Sequence, residues 1–235
     1  GFEDPALDAL VERGLAANLD IDAAADRLDA AAALLAAERS DRLPTFDAAG
    51  EAGVDLGSDN RVRAGAGLFG LFDPDLNGRL AAEIRAAVAD YAEADYVLAD
   101  QRRLVAAAIA NQYIEYRRTG AQLDLLEQST DLQERTLRIV TLRFEAGLAA
   151  NLDVRRAAAD LAQTRARRGL IAIARASAAN ALAVLIAEPP GTFAPPPARD
   201  DGTIPDYARG PRAGTPADLL RRRTDLLAAE ARLAQ

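Results

Sequence analysis

The chain has 235 residues and a net charge of −8, from 28 basic and 36 acidic residues, and every basic residue is an arginine. That acidic balance argues against nucleic-acid binding, which requires a concentrated basic face. The sequence contains no Cys, His, Met or Trp, which excludes disulfides, thiolate chemistry and Cys metal sites and removes the commonest general base. No cofactor or metal site is predicted, and an enzyme relying on carboxylates alone is the least favoured class.

The ends and the hydropathy of the chain bear on compartment. The chain begins "GFED", without an initiator methionine, a basic n-region or an apolar h-region, and we therefore expect a processed or trimmed product. Because no uninterrupted run of about 18 apolar residues occurs, we expect no membrane-spanning helix. A β-barrel membrane protein stays open.

The first region, 1–42, is predicted to be helical. Apolar or alanine positions recur at spacings of three and four over 5–14 and 20–40, and Asn18 or Asp20 can cap the second helix. Pro44 then ends the helical pattern, because the residue before a proline avoids the α region.

The second region, 43–72, alternates with a period of two. In "TFDAAGEAGVDLG" and "RVRAGAGLFGLF" the even positions are apolar and the charged residues fall at odd positions, which predicts a β-hairpin with one polar face. A three-residue turn at 58–60 would place Asp55 opposite Arg63. A lone hairpin is marginal in water, so we expect partner strands from elsewhere.

The third region, 73–188, is predicted to be a long helical hairpin with its tip at 146–153. No proline interrupts 79–145, and a continuous helix there would be about 100 Å long, which favours coiled-coil packing. Gly147 is the expected helix end, and a second helix is predicted from Asn151 to Glu188. The helix predicted over 79–145 carries a heptad-like apolar stripe: Leu80, Ile84, Ala87, Tyr91, Ala94, Leu98, Val105 and Ile109.

A Pro/Gly-rich linker, 189–215, follows, and the last region, 216–235, repeats the beginning of the chain. Helices 20–42 and 151–188 together nearly match the length of 79–145, so we expect them to meet end to end at the linker. Aligned on Asp20 and Asp225, "TDLLAAEARLAQ" matches the start of "LDIDAAADRLDAAAALLAAE" at an offset of 205 residues. This indicates an internal duplication whose second copy has just begun. The alternative is that two Ala/Leu/Arg-rich helices align through composition alone.

Six segments in order resemble TolC-like outer-membrane efflux factors. They are "ALxxNxDIxxAxxR" (loosely, from Leu15), "LP" before the first strand, "FDPDLNGR" after the second, "RFEAGLAANLDV" at the helix turn, "ALAVLIAEPPG" before the linker, and "PADLLRRRTDLLAAEARLA". The resemblance covers nearly the whole chain. It implies a mainly α fold with a small β part: a very long antiparallel α-hairpin that is a segment of an α-barrel, and a β-hairpin that contributes to a transmembrane β-barrel.

The resemblance also implies function, location and partners. Members are homotrimers that carry two repeats per protomer, in the Gram-negative outer membrane with a periplasmic extension. They are passive ducts for efflux, coupled through a periplasmic adaptor (membrane fusion) protein to an inner-membrane transporter. This chain departs from the family by ending at Gln235 and by lacking an N-terminal lipid-bearing cysteine, so we expect a fragment or an incomplete chain.

The site residues follow from the same resemblance. The tip would carry the periplasmic aperture and the adaptor-docking residues, Arg143, Gly147, Leu148 and Asp153. The barrel lumen would be lined by Asp47, Glu51, Asp55, Arg61 and Arg63, with outer-membrane lipid on the opposite face.

Without the resemblance, other interpretations stay open. Gly147 would be a helix C-cap, Asn151 or Asp153 an N-cap, and Arg143 a solvated cation. The β-hairpin would be an ordinary two-faced hairpin on a soluble helical coiled-coil scaffold. A duct predicts a second alternating hairpin downstream of Gln235, whereas a scaffold predicts more helix or a stop.

Overall fold

The computed structural model describes residues 2, 4–55, 61–195 and 215–234. The described chain forms helices and one two-stranded antiparallel sheet. In chain order the elements are α1 (Pro5–Ala17), α2 (Leu19–Ser40), β1 (Thr45–Asp55), β2 (Arg61–Leu71), α3 (Arg79–Glu145), α4 (Asn151–Leu185), α5 (Pro216–Arg221) and α6 (Thr224–Leu233).

The chain divides into two compact units. Unit 1 combines Gly1–Asp22 with Gln101–Ala213, and unit 2 combines Ala23–Asp100 with Gly214–Gln235. The tip of the α-hairpin therefore belongs to unit 1, and the β-hairpin belongs to unit 2.

Each of the two N-terminal helices begins at a capping residue, and the second cap, Asn18, is the single residue between α1 and α2. Asp4 caps α1, since its Oδ1 accepts from the Ala6 N–H at 2.9 Å and proline stands at the first helical position. Asn18 Oδ1 accepts from the N–H groups of Asp20 at 3.0 Å and Ile21 at 3.3 Å. Of the two predicted caps of α2, Asn18 is therefore the one that acts.

Helix α3 is continuous over the predicted 79–145. The predicted stripe supplies much of its buried surface, although Tyr91 is 39% exposed and lies outside that core. The fully or nearly buried members of the stripe are Leu80, Ala87, Leu98, Val105 and Ile109.

Within unit 1, α3 and α4 pair as an antiparallel α-hairpin, as predicted. Arg165 pairs with Glu134 at 2.5 Å, near the turn. Further along, the Arg175 Nη2 donates to the Tyr116 hydroxyl at 3.1 Å and its guanidinium carbon lies 4.7 Å from the centre of that ring. Gly120 lies beside this arginine, and a Cβ at position 120 would be in ordinary van der Waals contact with the guanidinium carbon, at 3.8 Å.

The end of α4 differs from the prediction. The helix ends at Leu185, not at Glu188, because Ala187 has a positive φ of 57° and two prolines follow. The Asn18 Nδ2 donates to the Leu185 carbonyl at 2.9 Å. The start of α2 and the end of α4 thus meet, as the helix lengths predicted.

The β-hairpin forms, but its predicted register is wrong by two residues. Asp55 lies opposite Arg61, and Arg63 lies opposite Gly53. The turn predicted at 58–60 lies outside the described residues. A shift of two keeps every side chain on its original face, because side chains alternate with a period of two.

Helix α6 begins where the repeat predicts. Thr224 stands 205 residues after Leu19, the first residue of α2, which is the offset of the sequence alignment. In unit 2, the Thr224 hydroxyl donates to Asp100 at 2.7 Å, and Arg232 pairs with Glu93. Helix α6 is thus bonded to α3.

Among the described helices, α4 alone is long and apolar enough to cross a membrane by length and composition. The expectation drawn from uninterrupted apolar runs missed it, because a high alanine content raises the averaged hydropathy. Core helices of soluble proteins meet the same criterion, so it assigns no membrane span.

Candidate functional site

The turn between α3 and α4 closes in a Schellman motif at Gly147. Gly147 has φ of +75°, in the left-handed region where glycine meets no Cβ penalty. Its N–H donates to the Phe144 carbonyl at 2.9 Å, and the Leu148 N–H donates to the Arg143 carbonyl at 2.7 Å. These bonds satisfy carbonyls that a helix end leaves free, so the predicted helix end at Gly147 is confirmed.

Helix α4 is capped by Asp153. Its Oδ2 accepts from the Ala150 N–H at 3.3 Å, while Ala150, at the N-cap position, has no side-chain acceptor of its own. The carboxylate also stands in the first turn, where the helix dipole favours negative charge. Asn151 is the first helical residue and Asp153 the third, so the N-cap predicted at one of these two positions is Ala150 instead. Asp153 acts from the third position, where its side chain reaches back to the N-cap N–H.

Several large apolar side chains around this turn are exposed to solvent. We call Leu142, Phe144, Leu148 and Leu152 the tip cluster; all four are exposed, Leu148 to 70%. Arg143 is exposed as well and forms no ion pair with any residue that the structure describes. Exposed apolar side chains concentrated in one place are typical of interaction surfaces.

The β-hairpin carries charge on one face only. We call the even-numbered residues of β1 and β2 the even face and the odd-numbered residues the odd face. Even residues lie opposite even residues throughout the register. The even face holds only Phe, Ala, Gly, Val and Leu, whereas the odd face holds all the charged residues of the two strands: Asp47, Glu51, Asp55, Arg61 and Arg63.

The described part of the odd face also contains two large apolar residues that the sequence analysis missed. Phe69 lies opposite Asp47 and is 65% exposed, and Leu71 lies opposite Thr45 and is 75% exposed. Their odd residue numbers already placed them on the same face as the charged residues. That face was judged from its charged positions, and the two apolar residues were therefore overlooked. Asp55 and Arg61 are placed by backbone register alone.

An acidic loop joins the β-hairpin to α3. Asp75, with φ of +50°, accepts hydrogen bonds at 2.9 Å from the N–H groups of both Leu80 and Ala81. Asp73 accepts from the Asp75 N–H at 2.9 Å and from Arg79 at 3.1 Å. These bonds hold the pKa of Asp73 below its usual range, with the Asp75 N–H as the larger cause.

A buried polar cluster anchors the N-terminus of the chain to α3 in unit 1. The Tyr113 hydroxyl donates to Asp4 Oδ2 at 3.0 Å, and Arg117 Nη1 donates to the same hydroxyl at 2.8 Å. Arg117 lies 3.7 Å from Asp4, and both side chains are almost fully buried. Burial raises the pKa of Tyr113. The sequence offered only weak signals for this cluster: Asp4 before a proline, and a spacing of four between tyrosine and arginine.

The predicted site residues fall into two groups, one in each unit. The four tip residues lie in unit 1 and the five hairpin residues in unit 2. Within the described ranges, no group of three or more His, Cys, Asp or Glu side chains is arranged to hold a metal ion.

Residues 10–188 match the family model for outer membrane efflux proteins. The chain belongs to the outer membrane efflux protein family. Its relatives include the probable efflux pump outer membrane protein SepC of Pseudomonas putida, 32% identical over 99% of this chain and 49% of SepC. The pyoverdine export outer membrane protein OpmQ of Pseudomonas aeruginosa is 30% identical over 99% of this chain and 52% of OpmQ. The chain thus spans about half the length of the curated relatives it matches.

Solved structures of outer-membrane channels share the fold. The outer-membrane channel OprN matches with a TM-score of 0.87 and 29% identity, over 99% of this chain and 54% of OprN. The open state of the Neisseria gonorrhoeae MtrE channel matches with a TM-score of 0.80 and 26% identity, over 98% of this chain and 52% of MtrE. The predicted fold class and the TolC-like resemblance are confirmed, and the family locates the protein in the outer membrane.

Proposed function

We propose that this chain is the first-repeat part of an outer-membrane efflux channel, a passive duct through which small molecules leave the periplasm. The family and the names of the relatives favour this function over a soluble helical scaffold. The duct performs no chemistry of its own, and an inner-membrane transporter supplies the energy.

The confinement of charge to one face of the β-hairpin is the observation that carries the proposal. An exposed sheet face that holds only apolar and small residues suits lipid, while charged residues on the other face suit a water-filled lumen. Asp47, Glu51, Asp55, Arg61 and Arg63 are therefore the proposed lumen residues. Phe69 and Leu71 share their face.

The free edges of the β-hairpin require partner strands, which a homotrimer of the kind this family forms would supply. A two-stranded sheet leaves one unpaired backbone edge on each strand, and in lipid every such group requires a partner. Strands from the second repeat and from the other subunits would pair both edges and close the barrel.

The turn at 146–153 is the proposed docking surface for the periplasmic adaptor. Arg143, Gly147, Leu148 and Asp153 are the proposed residues of this surface, at the periplasmic aperture. The exposed leucine offers an apolar anchor, the glycine permits close approach of a partner backbone, and the exposed arginine supplies an unpaired charge. Because Asp153 caps α4, its carboxylate is held in a fixed position at the turn.

Two neighbouring alanines provide a matched test of the lipid face. Ala48 and Ala49 are adjacent and exposed, and they lie on the even and odd faces respectively. In the full-length protein, we expect Ala48→Arg to reduce outer-membrane insertion, because an arginine on a lipid face costs about 2–4 kcal/mol near the bilayer midplane. Ala49→Arg should insert normally.

Insertion is measured by the yield of folded, detergent-extracted protein in outer-membrane fractions. Equal yields for the two variants would contradict the assignment of the faces. Wild-type protein found in the soluble fraction and absent from the outer-membrane fraction would favour the scaffold.

A further inference from the structure

The odd face of the β-hairpin contains a shallow depression of about 400 Å³. Its floor consists of small residues, Ala49, Gly65 and Gly67, and its borders are Glu51 and Phe69.

The glycines allow the bordering side chains to lie down on the strands. A Cβ at Gly67 would come within 3.0 Å of the Phe69 ring, so the ring occupies the space above that glycine. A Cβ at Gly65 would lie 3.4 Å from the Glu51 Cγ and 3.5 Å from its Oε1. Since alternate residues of a strand are about 6.7 Å apart, the ring and the carboxylate border the same small space.

A second carboxylate lies beside the ring. Asp47 is directly opposite Phe69, a position that brings the two Cβ atoms to about 4.5–5.5 Å. Neither Asp47 nor Glu51 forms an ion pair or a side-chain hydrogen bond with another residue that the structure describes. Arg63 lies one step further along the face, opposite Gly53, and no ion pair joins it to Glu51.

We propose that this depression is a binding site for organic cations that carry an aromatic or other flat apolar group. The positive charge would lie between Glu51 and the Phe69 ring, and the apolar group would lie on Ala49. Asp47, four residues along β1 from Glu51, would add a longer-range attraction. The inference rests on the proposed function, since it requires the odd face to line the lumen. It identifies such cations as a favoured class of exported substrate.

Block of single-channel current by benzyltrimethylammonium tests the site in purified full-length protein in a planar lipid bilayer. We expect Phe69→Ala to raise the half-blocking concentration about two- to fivefold, the effect of losing an exposed cation–π contact. Glu51→Gln should raise it by up to about fivefold, as for an exposed ion pair. Phe69→Tyr keeps the ring and should keep the block.

Two controls separate this site from general effects. Phe46→Ala removes the same ring from the even face, where it lies over Gly70, and should leave the block unchanged. Benzenesulfonate, an aromatic anion, should block wild type more weakly than the cation and should be insensitive to Phe69→Ala.

Two results would overturn the inference, and they differ in what else they remove. If the wild-type channel conducts and neither Phe69→Ala nor Glu51→Gln changes the half-blocking concentration from the wild-type value, the cation site is refuted and the channel stands. A full-length wild-type protein that forms no channel refutes the proposed function, and the cation site falls with it.

Discussion

Substitution of Gly147 tests whether the turn between α3 and α4 acts as a docking surface. Position 147 has φ of +75°, and no atom lies within 4 Å of the place a Cβ would occupy. Alanine there meets no steric clash and bears only the cost of the left-handed conformation, about 1–2 kcal/mol. That cost shifts the equilibrium between closed and open turns by a factor of about 5–30.

Arginine at the same position bears the same backbone cost and adds a long cation beside the exposed Leu148. We therefore expect Gly147→Arg to abolish efflux in the full-length protein and Gly147→Ala to reduce it only partly. Both variants should assemble as trimers, since the buried stripe of α3 is untouched. Gly147→Asn is the mildest control, because asparagine tolerates the left-handed region.

Drug susceptibility measures efflux in a host that lacks its own outer-membrane channel and carries the adaptor and pump. Native gels of detergent-extracted protein measure assembly. Unchanged susceptibility with Gly147→Arg would refute the docking role. An equal loss of efflux with Gly147→Ala would assign the effect to turn geometry and not to a partner.

Three further predictions concern stability. Arg117→Met should lower the free energy of unfolding by about 3–5 kcal/mol, because it leaves a buried carboxylate without its cation. Tyr113→Phe should lower it by about 1–3 kcal/mol. Urea unfolding measures both. Asp75→Ala should lower the free energy of unfolding by about 0.5–2 kcal/mol through loss of a helix cap. Asp75→Asn should lower it less in the same assay. Equal losses of stability in the two variants would contradict the capping role. Arg223 holds the pKa of Asp225 at about 2, below its usual 3.8. A carboxyl group with a lowered pKa stabilises the fold at any pH above its unfolded-state pKa. That stabilisation is lost as the pH falls through its folded-state pKa, so the helicity of α6 should fall between pH 3.8 and 2. Arg223→Gln should return the pKa of Asp225 towards 3.8 in an NMR titration and should reduce the loss of helicity below that pH.

Most of the elements could be predicted, because their signals are local. The change from a period of 3.6 to a period of two at Thr45 and its return at Arg79 match the observed bounds of β1 and α3. Gly147 ended α3 as expected, since few other residues adopt its φ without strain. The end of α4 was placed three residues too late, because the left-handed conformation at Ala187 has no sequence signal.

The hairpin register could not be predicted, because it depends on the length of the connection. Patterns of period two look the same after a shift of two residues, so the charge match of Asp55 with Arg63 was attractive but wrong. The direct pairing of Phe69 with Asp47 at the odd-face depression also required the observed register, because the predicted one would place Phe69 opposite Ala49.

The sequence by itself determined which residues are helical, which are extended, and which face of each strand carries charge, because these properties follow from spacing along the chain. The tertiary structure alone decided which distant residues meet. Asp4 reaches Tyr113, and Asn18 reaches Leu185, contacts that depend on how the helices pack. No local pattern encodes such pairings, since each depends on the positions of two segments separated by more than a hundred residues.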